Sequence, residues 1–354
     1  MSRAAEPTPP RACPIGHAPK TTLDAAGRTA RPAVDPDALR AETERFERCL
    51  AEVEARAAGP VEGVFGPGSA VWRLLRELSV PLFGLRAVLL QIAHPAIATA
   101  GAVDSDVRRA FLPRARRTFS TMYTFFFGDL RTALARARQV HRLHLRVRGA
   151  IVAEASPRCA GAAYRATDPE LLLWVLATLI ETTFHAHDAL REPLDRATRE
   201  QFYREMQLVG LLSGIPRAAM PGDLAAFERY FDATLQGALE VGPVAGELAD
   251  FLFDQRWSVL RFDEVWAAGL LPPALRAAYG LPWSRPRRVG HAAMLLSLRT
   301  ARRLLPDALR YVPAYHQAEL RLALARGARP TRAARWIDRL DAWSDLPLSL
   351  AAHD

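Results

Sequence analysis

The stretch Pro169 to Leu190, PELLLWVLATLIETTFHAHDAL, decides the fold class of this chain. It begins after Asp168, and its proline stands in the first turn of a helix, where a missing N–H leaves no bond unmade. Apolar residues then occupy nearly every side of the helix as far as Glu181. Because a helix that is apolar all round is typical of the centre of a bundle, we expect this one to be surrounded by other helices.

Outward from this helix, the sequence repeats the helical period and never the two-residue period of a strand over a convincing length. We therefore predict an all-α fold, a single large helical bundle domain with a buried cofactor pocket. The predicted domain covers residues 36–345. Residues 1–35, rich in Pro, Ala, Thr and Arg and without apolar periodicity, are predicted to be a disordered leader.

Composition narrows the classes of partner. The chain has 354 residues, of which 50% are hydrophobic, and a net charge of +9. Lys20 is the only lysine, so nearly all the positive charge is arginine, and it is interleaved with Asp and Glu along most helices. That pattern is typical of solvated helix faces, and no zinc-finger or RNA-binding signature occurs. We predict no nucleic-acid partner.

Cysteine usage and hydropathy bear on location. Cys13, Cys49 and Cys159 are odd in number and widely spaced, which argues against a disulfide framework and predicts a reducing compartment, the cytoplasm. The most apolar run, from Val80 to Val103, contains two prolines, an arginine and a histidine, which make it a poor membrane span. No secretory signal pattern precedes it. We predict no transmembrane segment.

The stretch Arg114 to Gly149, RARRTFSTMYTFFFGDLRTALARARQVHRLHLRVRG, holds the most unusual polar residues. A Gly-Asp break predicts two helices joined by a tight turn, and the final glycine is expected to cap the second helix. The first helix carries three polar groups close to one face and the second carries two on one side, namely Arg114, Arg117, Thr118, His141 and His144. Two antiparallel helices can face each other, so these groups could flank a shared pocket.

Three further residues invite a chemical interpretation. His94 precedes a proline and so stands at a helix break, either pointing into a cavity or bonded to a carbonyl in the core. Glu181 and His185 are four residues apart and could bind iron or zinc, but a second Glu-x-x-His is absent and a helix end is an ordinary place for histidine.

Glu205 lies on an amphipathic helix and would face the core only if it were paired, with Arg204 or with another arginine. The Gly-x-Ser-x-Gly, dinucleotide-binding and HExxH motifs do not occur, so serine hydrolases, simple dinucleotide enzymes and zincins lose their usual signatures.

Four stretches in a fixed order carry a resemblance to a known family. They are FGPGSAVW with LLQIAHPAIA, RARRT followed by FFFGD and HRLHLRVRG, DPELLLWVLATL with FYREMQLVGLLSGIP, and LPPALRAAYGLPWS with LLPDALRYVP. Together they span about Gly63 to Pro313. This pattern resembles the MpaB and rubber oxygenase catalytic domain family, which includes latex clearing proteins. The pairing of Arg-x-x-Arg-Thr with His-x-x-Val-x-Gly is its most specific part.

The resemblance implies an all-helical protein that binds haem b and uses O2 to cleave carbon–carbon double bonds in isoprenoid chains. By similarity, His144 is the proximal iron ligand and His141 the fallback. Arg114 and Thr118 match the family's arginine and threonine, and Arg117 stands where latex clearing proteins have lysine. These three groups are expected to stabilise bound oxygen or to hold a haem propionate.

The chain departs from the family at one point. Rubber oxygenases are thought to use a distal glutamate, and between Val88 and Pro113 this chain has only Asp104 and Asp106 as acids. His94 is the candidate for that place, as a second ligand or a distal donor. We therefore expect a haem b-dependent oxygenase that acts on a hydrophobic small molecule, with isoprenoid cleavage as one candidate reaction. The alternatives are a non-haem iron oxidoreductase and a non-catalytic haem- or lipid-binding helical protein.

Overall fold

The structure, a computed structural model, describes Cys13, residues 35–103, 111–191, 193–254 and 262–329, and residue 335. The predicted leader, residues 1–35, lies outside the described residues except at two positions. The predicted end of the helical domain at residue 345 also lies outside them. Both boundaries stay predictions.

Fifteen α-helices make up most of the described chain. In chain order they are α1 (Pro36–Arg56), α2 (Ala70–Leu75), α3 (Gly84–Ile92), α4 (Pro95–Val103), α5 (Phe111–Phe127), α6 (Leu130–His144), α7 (Pro169–Leu190), α8 (Arg196–Leu212), α9 (Leu224–Gly237), α10 (Pro243–Phe253), α11 (Phe262–Leu270), α12 (Pro273–Ala278), α13 (Arg285–Leu304), α14 (Asp307–Arg310) and α15 (Pro313–Ala325). Short 3-10 turns lie at Val80–Phe83, Pro157–Cys159 and Arg217–Ala219. With 72% of residues helical, the predicted all-α class is confirmed.

Two three-residue strands, β1 (Arg148–Ala150) and β2 (Ala163–Arg165), pair antiparallel with Gly149 opposite Tyr164. The prediction that Gly149 caps the second hairpin helix is therefore wrong, because α6 ends at His144 and Leu145 takes the C-cap position. Gly149 instead allows the side chain of Tyr164 to approach the backbone of β1 closely. A Cβ there would lie 3.1 Å from the hydroxyl of Tyr164, whose ring packs against it.

Helix α7 lies at the centre of the bundle, as its sequence predicts. Trp174 in its first half donates from Nε1 to the carbonyl of Leu90 on α3 at 3.1 Å. In its second half, the ring of Phe184 lies 5.6 Å from that of Phe202 on α8. Each large apolar side chain buried in this way contributes about 1.5–3 kcal/mol. Apolar side chains on more than one side of α7 thus pack against different helices of the bundle.

The hairpin of α5 and α6 turns at Gly128 and Asp129. The Asp129 carboxylate accepts from the backbone N–H of Thr132 at 2.8 Å and so caps α6. The three phenylalanines before the turn are all buried in the main core. They lie at the turn, about 11 residues from Arg114 and hence about 16 Å along α5, so they pack the tip of the hairpin and not its polar end.

Neighbouring segments anchor this tip. Trp72 of α2 donates from Nε1 to the carbonyl of Phe126 at 2.9 Å, and Arg321 of α15 donates to that of Phe127 at 2.7 Å. Gly63 has a φ of +93°, and a Cβ at this position would collide with the carbonyl oxygen of Gly128. These contacts fix the position of the turn, and so they fix where α5 ends and α6 begins.

Two of the three cysteines are bonded. Cys13 and Cys159 form a disulfide with a Cα–Cα distance of 5.2 Å across a sequence separation of 146 residues. Their wide spacing argued against a disulfide framework, but this pair is bonded, because spacing along the sequence does not report proximity in the fold. Cys49 is free and buried in α1, and burial raises the pKa of its thiol.

Among the described residues, no single helix has the length and apolar composition of a membrane span. Val80–Ile92 and Pro95–Ala102 pass the same criteria only as a pair, and they meet at a bend of 103°.

Candidate functional site

The open end of α5 carries the predicted arginine and threonine group. Thr118 donates from its hydroxyl to the carbonyl of Arg114 at 3.0 Å, so the two residues share one helix face as expected. Arg117 and Thr118 are exposed, and Arg114 is half-buried. The Thr118 proton is directed along its own helix, which leaves the oxygen lone pairs for any other partner.

His141 of α6 is a buried residue packed against α1. Its ring stacks on that of Phe46 with centroids 3.9 Å apart and planes at 3°. Burial lowers the pKa of His141, while nearby Glu42 acts in the opposite direction. Its Nε2 is buried without a hydrogen-bond partner in the described structure. Because the ring fills a place between helices, it serves packing on at least one face.

His144 is the last residue of α6, one helical turn beyond His141. It is half-buried, and burial lowers the pKa of its imidazole to about 4, with His141 adding to the effect. The ring is therefore neutral at physiological pH and keeps a lone pair for a ligand or an acid. That state is what a metal-binding imidazole requires.

Both polar groups lie at the end of the hairpin that is remote from the turn. Arg114 lies 14 residues before Gly128, and His144 lies 15 residues after Asp129. At 1.5 Å of rise per residue, each is about 21–23 Å along its helix from the turn. The prediction that the two groups flank one pocket is compatible with these equal distances, and it stays a prediction.

His94 lies at the break between α3 and α4. It is 6% exposed, and its carbonyl accepts from the N–H groups of residues 97 and 98 at 3.0 Å. Burial and the neighbouring Arg158 lower the pKa of its ring to about 4. Arg158 is held by Glu240 at 2.8 Å. Since Nδ1 of His94 is buried without a partner among the described residues, its predicted bond to a carbonyl is not made through that atom.

Glu181 does not offer its carboxylate to a metal. Arg86 donates from Nε to Oε2 at 2.9 Å and from Nη2 to Oε1 at 2.6 Å. His185 packs edge-on against Phe83 at 6.1 Å, and burial, aided by Arg86, lowers its pKa to about 4. Within the described ranges, no group of three or more His, Cys, Asp or Glu side chains could hold a metal ion. The non-haem iron alternative therefore finds no ligand set there.

Glu205 is paired, but not with an arginine as expected. Its two oxygens accept from the backbone N–H groups of Ala70 at 3.1 Å and Val71 at 2.8 Å, so it caps α2 from another helix. A carboxylate at a helix N-terminus satisfies unpaired donors and opposes the positive end of the helix dipole. Ser69 stands directly before α2, where serine typically caps a helix, and its hydroxyl also accepts from Trp72 N–H at 3.1 Å.

Glu42 is a buried acid near His141 that belongs to none of the sequence motifs described above. It is 8% exposed on α1, in the same stripe as Phe46, Cys49, Leu50 and Val53. Its Oε1 is buried without a hydrogen-bond partner in the described structure. A charged residue in register with an apolar helix stripe was the signal that could have identified it.

A surface cleft of about 330 Å³ lies elsewhere, between the end of α1 and α8. Its lining residues are mostly polar or charged: Arg56, Gln201, Arg204, Glu205, Leu208 and Arg217. None of the residues predicted for the site belongs to it. The cleft is therefore treated as separate from the predicted site.

The fold and these residues define an all-α protein with a shielded, neutral imidazole at the open end of a helical hairpin. Residues 72–302 match the family model described as ER-bound oxygenase mpaB/B′/Rubber oxygenase, catalytic domain. The chain belongs to this family. At this level it is a protein of the oxygenase, and hence oxidoreductase, kind.

Two relatives are similar over most of their own length. Uncharacterized protein Mb2261 of Mycobacterium bovis and uncharacterized protein Rv2237 of Mycobacterium tuberculosis are each 30% identical to this chain over 230 residues. The matched region covers 62% of this chain and 87% of each relative. No solved structure matches significantly.

Proposed function

We propose that this protein is a haem b-dependent oxygenase that acts on a hydrophobic small molecule with O2. The observation that carries the proposal is the neutral, shielded imidazole of His144 at the open end of α6. It lies within the region that matches the oxygenase family.

The residues present fit a haem. An imidazole must be neutral at working pH to bind haem iron, and the depressed pKa of His144 supports this role. The fallback ligand, His141, is less suited because its ring is stacked on Phe46 in the core. Haem propionates need cations, and Arg114 and Arg117 supply two guanidinium groups at the open end of α5.

When bound, the haem iron would supply the activation of O2 for an oxidative reaction such as carbon–carbon double-bond cleavage. His144 would hold the haem by offering a neutral nitrogen lone pair to the iron. Arg114 and Arg117 orient a carboxylate or stabilise developing negative charge with fixed donors. Because an arginine does not release its proton at neutral pH, Arg117 acts as a charge and not as an acid.

His94 is proposed as the polar group that would take the place of the family's glutamate. Its ring is neutral and its Nδ1 has no partner among the described residues, so this atom could accept a hydrogen bond. The Arg158 guanidinium beside it keeps the ring unprotonated. Thr118, whose hydroxyl donates to its own helix, would act as an acceptor that positions a neighbouring donor.

Haem-supplied expression tests the proposal. The purified protein should show a Soret band and bind haem in stoichiometric amount, and His144→Ala should lose most of the haem because the side chain that would hold the iron is removed. Added imidazole should restore the band in this variant. Haem binding is measured by absorption spectroscopy and by extraction and quantification of the haem.

The matched control is His141→Phe, which keeps an aromatic ring stacked on Phe46. This variant should bind haem as the unchanged protein does. A protein without a Soret band would overturn the haem proposal. Loss of haem in the His141 variant alone would assign the iron ligand to His141 and not to His144. Oxygen uptake with hydrophobic alkenes then separates an oxygenase from a haem- or lipid-binding protein without turnover.

A cytoplasmic location stays a prediction. The disulfide between Cys13 and Cys159 is of a kind that persists mainly in oxidising compartments and argues against it.

A further inference from the structure

Helix α13 (Arg285–Leu304), RPRRVGHAAMLLSLRTARRL, has six arginines and no acidic residue. Its inner side is fully engaged with the bundle. Met294, Leu295 and Leu298 pack against the cluster that contains Phe83 and Trp266. This contact fixes which side of the helix faces the bundle.

The arginines on the inner side have acidic partners. Arg287 pairs with Glu264 at 3.2 Å. Arg302 donates to both oxygens of the buried Glu77 at 3.1 Å. The charge on this side of α13 is therefore matched within the fold.

The outer side of α13 exposes large apolar side chains. Val289 is 63% exposed, Leu296 64% and Leu304 78%. Their spacings of seven and eight residues are each close to two helical turns, so they form one stripe about 22 Å long. Leu305 and Leu309, 39% and 47% exposed, follow just beyond the helix. A run of exposed leucines of this kind is typical of a surface that contacts something apolar.

Unmatched positive charge borders this stripe on one side. At 100° per residue, Arg285, Arg288, Arg299 and Arg303 all project along the same flank. In the described part of the chain, Arg285, Arg288 and Arg303 have no carboxylate partner, in contrast to the arginines of the inner side. Arg299 donates to the carbonyl of Ala189 at 2.7 Å.

We propose that the outer face of α13 docks on an anionic lipid surface. An apolar stripe with a basic flank is the pattern by which helices lie in the interface of anionic bilayers, the apolar residues entering the acyl boundary and the arginines meeting phosphate groups. A nucleic acid would leave the leucines unused. A second copy packed antiparallel would bring the two arginine flanks together, which is unfavourable. The combination of exposed leucines and unmatched arginines therefore favours an anionic lipid surface over a nucleic acid or a second copy of the chain.

Co-sedimentation of the full chain with vesicles tests this proposal. The protein should bind vesicles that contain phosphatidylglycerol in phosphatidylcholine, should not bind phosphatidylcholine alone, and should be released by high salt. The variant Arg288→Gln with Arg303→Gln should bind roughly thirtyfold more weakly at low salt, since each surface arginine contributes about a factor of five. The variant Leu296→Ser with Leu304→Ser should lose most of the binding.

The matched control is Leu324→Ser on α15, where the leucine is 62% exposed and outside the α13 face. Its binding should stay within about twofold of the unchanged protein. Circular dichroism establishes that all variants are folded. The test does not depend on haem or on turnover, so it stands apart from the proposed function.

Four results would overturn the proposal. The first is no binding to either vesicle, and the second is equal binding of the Leu296 and Leu304 variant and the unchanged protein. The third is a concentration-dependent dimer in analytical ultracentrifugation that this variant abolishes, which would assign the face to a second copy. Equal affinity for neutral and anionic vesicles would likewise remove the role of the arginines.

Discussion

Glu77 is the most deeply buried carboxylate that the structure describes, with 2% of its surface exposed. Arg302 donates to both of its oxygens at 3.1 Å, and Arg191 and Arg310 approach within 3.8 and 3.7 Å. These arginines belong to the ends of α7, α13 and α14. One carboxylate therefore joins three elements, and its loss would leave several guanidinium groups close together without a counter-charge.

We expect Glu77→Gln to lower the free energy of unfolding by about 3–5 kcal/mol, because it breaks a buried ion pair by removing one partner. Denaturant unfolding followed by circular dichroism measures this. The control is Glu47→Gln, whose partner Arg138 lies at 2.8 Å on an exposed surface. That change should cost less than about 1 kcal/mol. Equal effects of the two substitutions would contradict the role given to Glu77.

At the scale of elements, α2 depends on a residue from another helix. This six-residue helix has two caps, Ser69 from its own chain segment and Glu205 from α8. Trp72 of α2 also anchors the hairpin through the carbonyl of Phe126. The cap that holds α2 in place thus also helps to fix the hairpin tip, because Trp72 of α2 is bonded to it.

Glu205→Ala should reduce the free energy of unfolding by about 1–2 kcal/mol, because two N-terminal N–H groups lose a charged acceptor. Ser69→Ala should cost about 1 kcal/mol through the loss of one such bond. Thermal unfolding of both variants measures the difference. An unchanged melting temperature in Glu205→Ala would show that water replaces the carboxylate without loss.

At the scale of the whole molecule, folding buries histidines and leaves arginine charge outside. His94 and His185 lie in separate parts of the bundle, and burial lowers the pKa of each to about 4. Arg86, which faces inward, is paired with the carboxylate of Glu181. Exposed arginines such as Arg285, Arg288 and Arg303 contribute to the net charge of +9.

These histidines predict acid sensitivity. Their folded pKa values lie below the unfolded value of about 6.5, so the unfolded chain binds more protons between these limits. Stability should be fully present above pH 6.5 and should fall toward pH 4, by up to about 3 kcal/mol for each histidine. Denaturant midpoints measured across this range test it, and His94→Gln should reduce the slope. A flat profile in the unchanged protein would contradict the prediction.

The local pattern of residues in the sequence was sufficient to predict the helices and part of the candidate site. The apolar surface of α7, the cap at Ser69 and the Gly-Asp turn each depend on residues within one or two helical turns, so they can be predicted without the fold. The motif that pairs Arg114 and Thr118 with His144 likewise predicted the family. The roles of these residues stay predictions.

Partners distant in sequence were decided only by the tertiary structure. Glu205 meets Val71 across 134 residues, Arg302 meets Glu77 across 225, and Cys13 meets Cys159 across 146. The sequence predicted an arginine partner for Glu205, whereas the structure pairs it with backbone N–H groups, and it argued against a disulfide framework, whereas two cysteines are bonded. The physical reason is that a helix is specified by short-range hydrogen bonds and periodicity, whereas the choice among distant charges depends on how whole helices pack.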